Sequence, residues 1–337
     1  DYSPDLPLGD RKRRYEEQGI LQRINDIFQD NLRTTRNANG KKGILLEKAG
    51  IKGDYTEFNN TLSDELKEKV SGNKVYQLTV KSGNKVISDF KGGFATVTIP
   101  YTLKEGENPH AVVVWYLNQG DMKSVRGSYV ADLKAVVFTV NHFSYFMIKH
   151  DPVKFIDIPD NAWYKNAVDF IAARRITQGT GNNQYSPDAP MTRGRFIVLL
   201  MNAFNIKPEQ YSDLLNVPPF TDAGNTYYTK YLAVAKGLGI VQGIGNNRFA
   251  PEQNITREEM FVMLYNVLHA IGKTPVMIST NRINDFNDIN QVAPWAYDAI
   301  FVLVNAEVVN GDKGSIHPKR NTTAAETAQV LFNLLKQ

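Results

Sequence analysis

The 337-residue chain contains no cysteine, which excludes disulfides, thiolate metal sites and cysteine nucleophiles. Its five histidines, at positions 110, 142, 150, 269 and 317, are scattered without H-E-x-x-H spacing. There is no G-x-S-x-G, phosphate-loop or dinucleotide fingerprint either. Catalytic chemistry has no motif to rest on, so the expectation is a protein that is not an enzyme, with no catalytic residue, cofactor or metal. No apolar run approaches the roughly 20 residues that cross a bilayer, so no membrane span is predicted. Net charge is small too: 39 basic against 35 acidic residues leave +4. The one basic run, Arg11-Lys-Arg-Arg14, is followed at once by Glu16 and Glu17 without interleaved aromatics, so it reads as a solvated stretch and no nucleic-acid partner is expected. The chain opens at Asp1 with neither an initiator methionine nor an apolar leader, as expected of a processed mature form or a fragment.

What the chain does have is repetition. Three copies of one pattern fill the C-terminal half, beginning F-I-D at Phe155, F-T-D at Phe220 and F-N-D at Phe286, so the starts are 65 and 66 residues apart. An aromatic residue precedes a glycine by sixteen positions each time: Trp163 to Gly179, Tyr227 to Gly243 and Trp295 to Gly311. A turn ending in proline follows (Pro187, Pro251, Pro318), then a threonine and a second apolar stripe. Each copy reads as helix, loop, helix. In the first, Trp163, Ala167, Phe170, Ile171 and Arg174 share one helical face, and Phe196, Leu199, Leu200 and Ala203 share another. Neither helix buries its stripe alone, so the copies are expected to pack together.

The second helix of each copy has a start signal that can be checked by offset. Thr256 with Glu259, and Thr323 with Glu326, fit the S/T-x-x-E capping box, whereas Thr192 is followed by Arg195 where the acid belongs. Arg193 and Arg257 fall in the first turn, where uncapped N–H groups and the positive dipole end favour an anion and a guanidinium adds a bidentate partner for a carboxylate. In the third copy Ala324 stands at that position and the preceding loop is one residue shorter. That groove is expected to bind weakly or not at all.

The phrases Met191-Thr-Arg-Gly-Arg195 and Ile255-Thr-Arg-Glu-Glu259, with the F-x-D openings and the aromatic-to-glycine spacing, resemble S-layer homology (SLH) repeats and their I-T-R-A-E signature. The resemblance covers roughly residues 153 to 337. It implies an all-α, pseudo-threefold trirepeat domain that holds a secreted protein on a Gram-positive cell wall. The implied partner is a secondary cell wall polysaccharide carrying an acidic pyruvate ketal sugar, bound in grooves between repeats, with other surface-layer subunits as further partners. On this reading the carbohydrate-binding candidates are Arg193, Arg257, Asp157, Asp222, Asp288, Trp163, Tyr227, Trp295, Gly179, Gly243 and Gly311.

Most of these positions have a structural alternative. The aspartates could accept from sugar hydroxyls, cap the first helix or tie down its loop. The aromatics could stack on a sugar or anchor the helix in the core. The glycines could end the first helix in a left-handed conformation or let a ligand approach the backbone.

Upstream the pattern changes to alternation. Val75–Val80, Phe94–Ile99, His110–Leu117, Leu133–Val140 and His142–Ile148 are strand-like runs separated by turn signals, which predicts a small antiparallel sandwich or barrel. V-Y-x-L-T-V, V-T-I-P-Y, G-E-N-P, V-V-V-W-Y and N-H-F-S-Y resemble a β-module that sits before such repeats in Firmicutes surface proteins, read here as a spacer. Leu21, Ile24, Ile27, Phe28 and Leu32 form one helical stripe near the N-terminus. The expected organisation is α+β and multidomain: a helical, charged segment at 1–40, an antiparallel β-sandwich-like module at 41–150, and three repeats over 153–337 (155–219, 220–285, 286–337). The expected function is non-covalent wall anchoring. The alternative is a wall-attached enzyme whose chemistry is N-terminal or absent from this chain.

Overall fold

The computed structural model describes residues 50–52, 63–70, 72–82, 85–87, 95–118, 122–125, 127–140, 142, 144–279 and 282–336. The N-terminal stripe from Leu21 to Leu32 and the Arg11–Arg14 run lie outside them. The described residues form antiparallel sheets and seven α-helices, an α+β chain. They divide into two compact units, one comprising residues 185–333 and the other 50–184 with 334–336.

Alternation in the N-terminal runs becomes strands wherever the apolar residues recur every second position. The larger sheet holds β1 (Gly50–Lys52), β2 (Val75–Ser82), β9 (Tyr145–His150), β5 (Val112–Leu117) and β6 (Met122–Ser124) in that order, with β3 (Lys85–Ile87) also paired to β2. The smaller sheet has the order β4 (Ala95–Pro100), β8 (Ala135–Val140), β7 (Gly127–Val130). Every pairing is antiparallel, as in Val112 opposite His150 and Ala95 opposite Val140. Val112, Val114 and Ile148 from the larger sheet share a core with Val97, Ile99, Val136 and Phe138 from the smaller one. The residues between them, Val113, Trp115, Leu117 and Met147, face the other way and pack with Val70 of α1 (Asp64–Val70) and Ala173 of α2 (Lys165–Ala173).

That second layer is why the first helix of the first repeat belongs to the sheet unit. Arg174, at the end of α2, is buried with its guanidinium over the Phe170 ring, and it donates to the carbonyl oxygens of His110 (3.0 Å), Phe170 (3.1 Å), Val112 (3.1 Å) and Gly127 (2.9 Å). Burial pushes its pKa down to about 9, which still leaves it cationic at neutral pH. Asn108 adds a 2.6 Å bond to Asp169 of the same helix. The compact unit therefore reaches residue 184, past the repeat start that the sequence marks at 153–155.

The other unit holds the remaining repeat helices: α3 (Arg193–Ala203), α4 (Thr229–Gly237), α5 (Arg257–Ala270), α6 (Tyr297–Asn305) and α7 (Ala324–Leu335), the last through Asn333. Their stripes are buried at Phe196, Leu199, Leu200, Leu232, Phe261, Leu264, Ile300, Leu303, Ala328 and Leu331. Trp163 is not part of such a stripe. It lies before α2 and is 63% exposed.

Candidate functional site

The threonine-containing segments between the helix pairs close a ring of backbone hydrogen bonds. Met191 N–H donates to Thr322 O (3.0 Å), Thr322 N–H to Ile255 O (3.0 Å) and Ile255 N–H to Met191 O (2.8 Å). All three side chains are fully buried. The first two N–H groups of each second helix continue the scheme by donating to the next copy. Arg193 and Gly194 donate to Gln253 and Pro251, Arg257 and Glu258 to Arg320 and Pro318, and Ala324 and Ala325 to Ala189 and Pro187, all between 2.8 and 3.0 Å. The N–H groups expected to be free for an anion are thus already satisfied by protein carbonyls.

The two signature arginines follow the same cyclic rule. Arg193 is 3% exposed; its Nε donates to Phe249 O (2.8 Å) and its Nη1 lies 2.6 Å from Glu259 Oε1. Arg257 is 6% exposed; its Nε donates to Ile316 O (2.6 Å) and its Nη1 lies 3.6 Å from Glu326 Oε1. Burial lowers the pKa of both, against the opposing pull of the paired glutamate. The expectation of guanidinium forks open to a groove does not match this geometry. The glutamate that completes each capping box also neutralises the arginine of the preceding copy. Glu259 accepts from Thr256 N–H (2.8 Å), and Glu326 accepts from Thr323 N–H (3.0 Å) and from Arg320. For Glu326, burial raises the pKa but the Thr323 N–H and the two arginines outweigh it, holding the carboxyl below its ordinary value.

Two of the three aspartates are seen to tie down loops. Asp222 accepts from Phe249 and Ala250 N–H (2.8 Å each), and Asp288 from Ile316 N–H (2.8 Å) and His317 N–H (2.7 Å). Ala250 and His317 have φ of 55°, the left-handed region that non-glycine residues avoid, so the carboxylates hold a strained turn. Asp157 lies half-buried in the sheet unit.

Gly179, Gly243 and Gly311 do not end the first helices. Those helices are terminated four residues earlier, by Arg175, Gly239 and Glu307, each left-handed and each followed by a residue that donates five positions back: Ile176 to Ile171, Ile240 to Ala235 and Val308 to Leu303. The later glycines are instead spaces. At Gly243, with φ of 85°, a Cβ would fall 2.4 Å from Arg248 O and 2.8 Å from the Phe220 ring, so the phenylalanine of the F-x-D opening packs where a side chain would be. The turns that follow have successive left-handed residues at Asn182-Asn183, Asn246-Asn247 and Lys313-Gly314, as tight hairpins require.

Trp163, Tyr227 and Trp295 lie largely in water, at 63%, 64% and 51% exposure, which removes the core-anchor alternative for them. In the first two copies the following residue carries the packing, with Tyr164 edge-on to Trp163 and buried Tyr228 edge-on to Tyr227. Sequence reasoning missed this division of labour because both residues of each pair are aromatic. No cluster of metal-binding side chains, and no helix long and apolar enough to cross a membrane, occurs among the described residues.

The S-layer homology domain family matches residues 154–196, 219–261 and 285–328. The chain is 27% identical to an amylopullulanase of Thermoanaerobacterium thermosulfurigenes over 94% of its own length and 17% of that protein, a match that takes in the sheets as well as the repeats. It is 30% identical to the exoglucanase XynX of Acetivibrio thermocellus over 55% of this chain and 16% of that one. With S-layer protein EA1 of Bacillus anthracis it shares 24% identity over 52% of this chain and 19% of that one. It thus spans less than a fifth of each of these relatives. The three regions that build and flank the hydrogen-bonded ring are S-layer homology domains, which makes this a cell-surface, cell-wall-associated protein carrying three of them in tandem.

Proposed function

We propose that this chain attaches a secreted surface protein to the bacterial cell wall without a covalent bond. The repeats take up an anionic, pyruvylated wall polysaccharide in the grooves between copies of a pseudo-threefold bundle. The observation that carries the reading is the recurrence of a large exposed aromatic, Trp163, Tyr227 or Trp295, at the same place in every copy. Each leaves a broad apolar face in water beside a rigid loop, the surface on which a sugar ring stacks. The loops are set by the clamps of Asp222 and Asp288 and by the packed glycines Gly179, Gly243 and Gly311, with Asp157 at the matching place in the first copy, so these residues shape the groove. Arg193 and Arg257 act as positioning residues that fix one copy against the next. Other surface-layer subunits are the further partners this reading allows.

Sedimentation of the whole chain with purified wall sacculi tests it. The wild type should co-sediment. Tyr227→Ala combined with Trp295→Ala should release it by about tenfold or more at unchanged melting temperature, since exposed rings add little to folding. Full retention by the double variant would remove the stacking role. Relatives named for polysaccharide hydrolysis favour a second reading, a wall-attached enzyme whose chemistry lies elsewhere in a longer protein. Release of reducing sugar from wall glycan or starch by this chain alone would favour catalysis within it.

A further inference from the structure

The three junctions of the ring are not alike. At two of them a guanidinium from one copy meets the carboxylate of the next: Arg193 with Glu259 and Arg257 with Glu326. At the third both members are replaced, with Ala324 standing at the arginine position and Arg195 at the glutamate position. Arg195 reaches into the space that the missing arginine would fill. Its Nη2 donates at 3.4 Å to Tyr185 O, the counterpart of the Phe249 and Ile316 carbonyls that take Arg193 and Arg257. The Tyr185 hydroxyl closes the junction with a 2.8 Å bond to Ala324 O.

Two consequences follow for charge. Arg195 is half-buried and makes no ion pair among the described residues, whereas its two buried counterparts each have one. Its neighbourhood also includes an open ring. Gly194, next to Arg195, packs so closely on the Tyr228 ring that a Cβ there would fall 2.9 Å from it, and Tyr228 in turn lies edge-on to exposed Tyr227 with ring centroids 5.1 Å apart. Glu252, an acid on the same side, is already held by the Tyr228 hydroxyl at 2.5 Å. The Thr192 side chain accepts from Arg195 N–H, but no carboxylate reaches back to its own N–H as at Thr256 and Thr323.

Resting on the wall-attachment reading, we propose that Arg195 supplies the guanidinium that recognises the carboxylate of the anionic wall sugar, with the exposed Tyr227 ring beside it as the stacking face. Arg193 and Arg257 have spent their charge inside the protein. Arg195 has not. A ligand carboxylate would restore at this junction the pairing that glutamates provide at the other two, and the absence of a glutamate here is what leaves the place for it. The junction with Ala324, expected from sequence to be the weakest binder, becomes the specific one.

The experiment titrates purified secondary wall polysaccharide, native and after mild-acid removal of its ketal-linked pyruvate, into the full chain and its Arg195→Glu, Arg195→Gln and Arg193→Gln variants. Arg195→Glu should bind native polymer about tenfold or more weakly. Its melting temperature should equal or exceed that of the wild type, because glutamate completes the capping box with Thr192. Opposite movements of binding and stability separate recognition from folding. Arg195→Gln should lose affinity for the native polymer and little for the depyruvylated one. Wild-type affinity of both Arg195 variants for native polymer overturns this inference alone, as does equal loss on both polymers. Failure of the wild type to bind either polymer overturns the wall-attachment reading and the inference with it.

Discussion

Arg174 in the sheet unit and Arg193 in the ring of repeats are both buried cations, and they are neutralised in opposite ways. Arg174 sits in a cage of four carbonyl oxygens without a carboxylate, whereas Arg193 has one carbonyl and a glutamate at 2.6 Å. Carbonyl oxygens do not take up protons as pH falls, so the hold of Arg174 on the larger sheet does not weaken between neutral and acid pH. A carboxylate partner does take them up. The contact at Arg174 is therefore insensitive to acid, and the contact at Arg193 depends on the charge of Glu259.

That contrast predicts a graded set of outcomes. Arg174→Ala should have the largest effect, about 3–5 kcal/mol, because it leaves buried carbonyls unfilled and removes a packed stem. Urea unfolding followed through buried Trp115 of the sheet unit would read it. An effect below about 1 kcal/mol would mean that the cage is incidental. Gly243→Ala should cost about 2–4 kcal/mol, since φ of 85° and a 2.4 Å approach to Arg248 O leave no strain-free place for a methyl group. A melting temperature unchanged by Gly243→Ala would show that the hairpin can shift.

Next come the glutamates. Glu259→Gln should cost about 2–3 kcal/mol by leaving Arg193 without its counter-ion. Glu326→Gln should cost less, since its distance to Arg257 is 3.6 Å against 2.6 Å. Equal losses would mean that the cap, not the ion pair, sets the energy. Acid should act in the same direction. Glu326 and Asp222 have folded pKa values below their ordinary ones, so they contribute stability above about pH 4.5, which is lost as pH falls through the folded values. For Asp222, burial opposes the shift and the Phe249 and Ala250 N–H bonds outweigh it. Melting curves from pH 7 to pH 3 should weaken the ring before the sheet unit. The smallest effect is expected at the caps. Thr256→Ala should cost about 1 kcal/mol, and Thr192→Ala roughly half that, because only the first removes a reciprocal capping box.

Periodicity made the repeats and the strands legible in advance, since burial on one face leaves its period in the residue order. The capping boxes were readable for the same reason: cap and acid lie three positions apart on one helix. The roles of the arginines were not, because the partner of Arg193 is 66 residues away in the next copy and nothing local announces it. Asp222 behaves likewise, clamping a turn 27 and 28 residues downstream. For the exposed aromatics, Trp163 fitted the helical stripe by spacing, yet α2 begins after it and the ring stays in water.

Order along the chain, by itself, determined that there are three copies, that each pairs two helices across a turn, and which junction lacks an arginine. Only the tertiary structure decided which charges are spent and which remain. A buried guanidinium must be neutralised by whatever the fold brings within a few ångströms, and that neighbour comes from a different repeat.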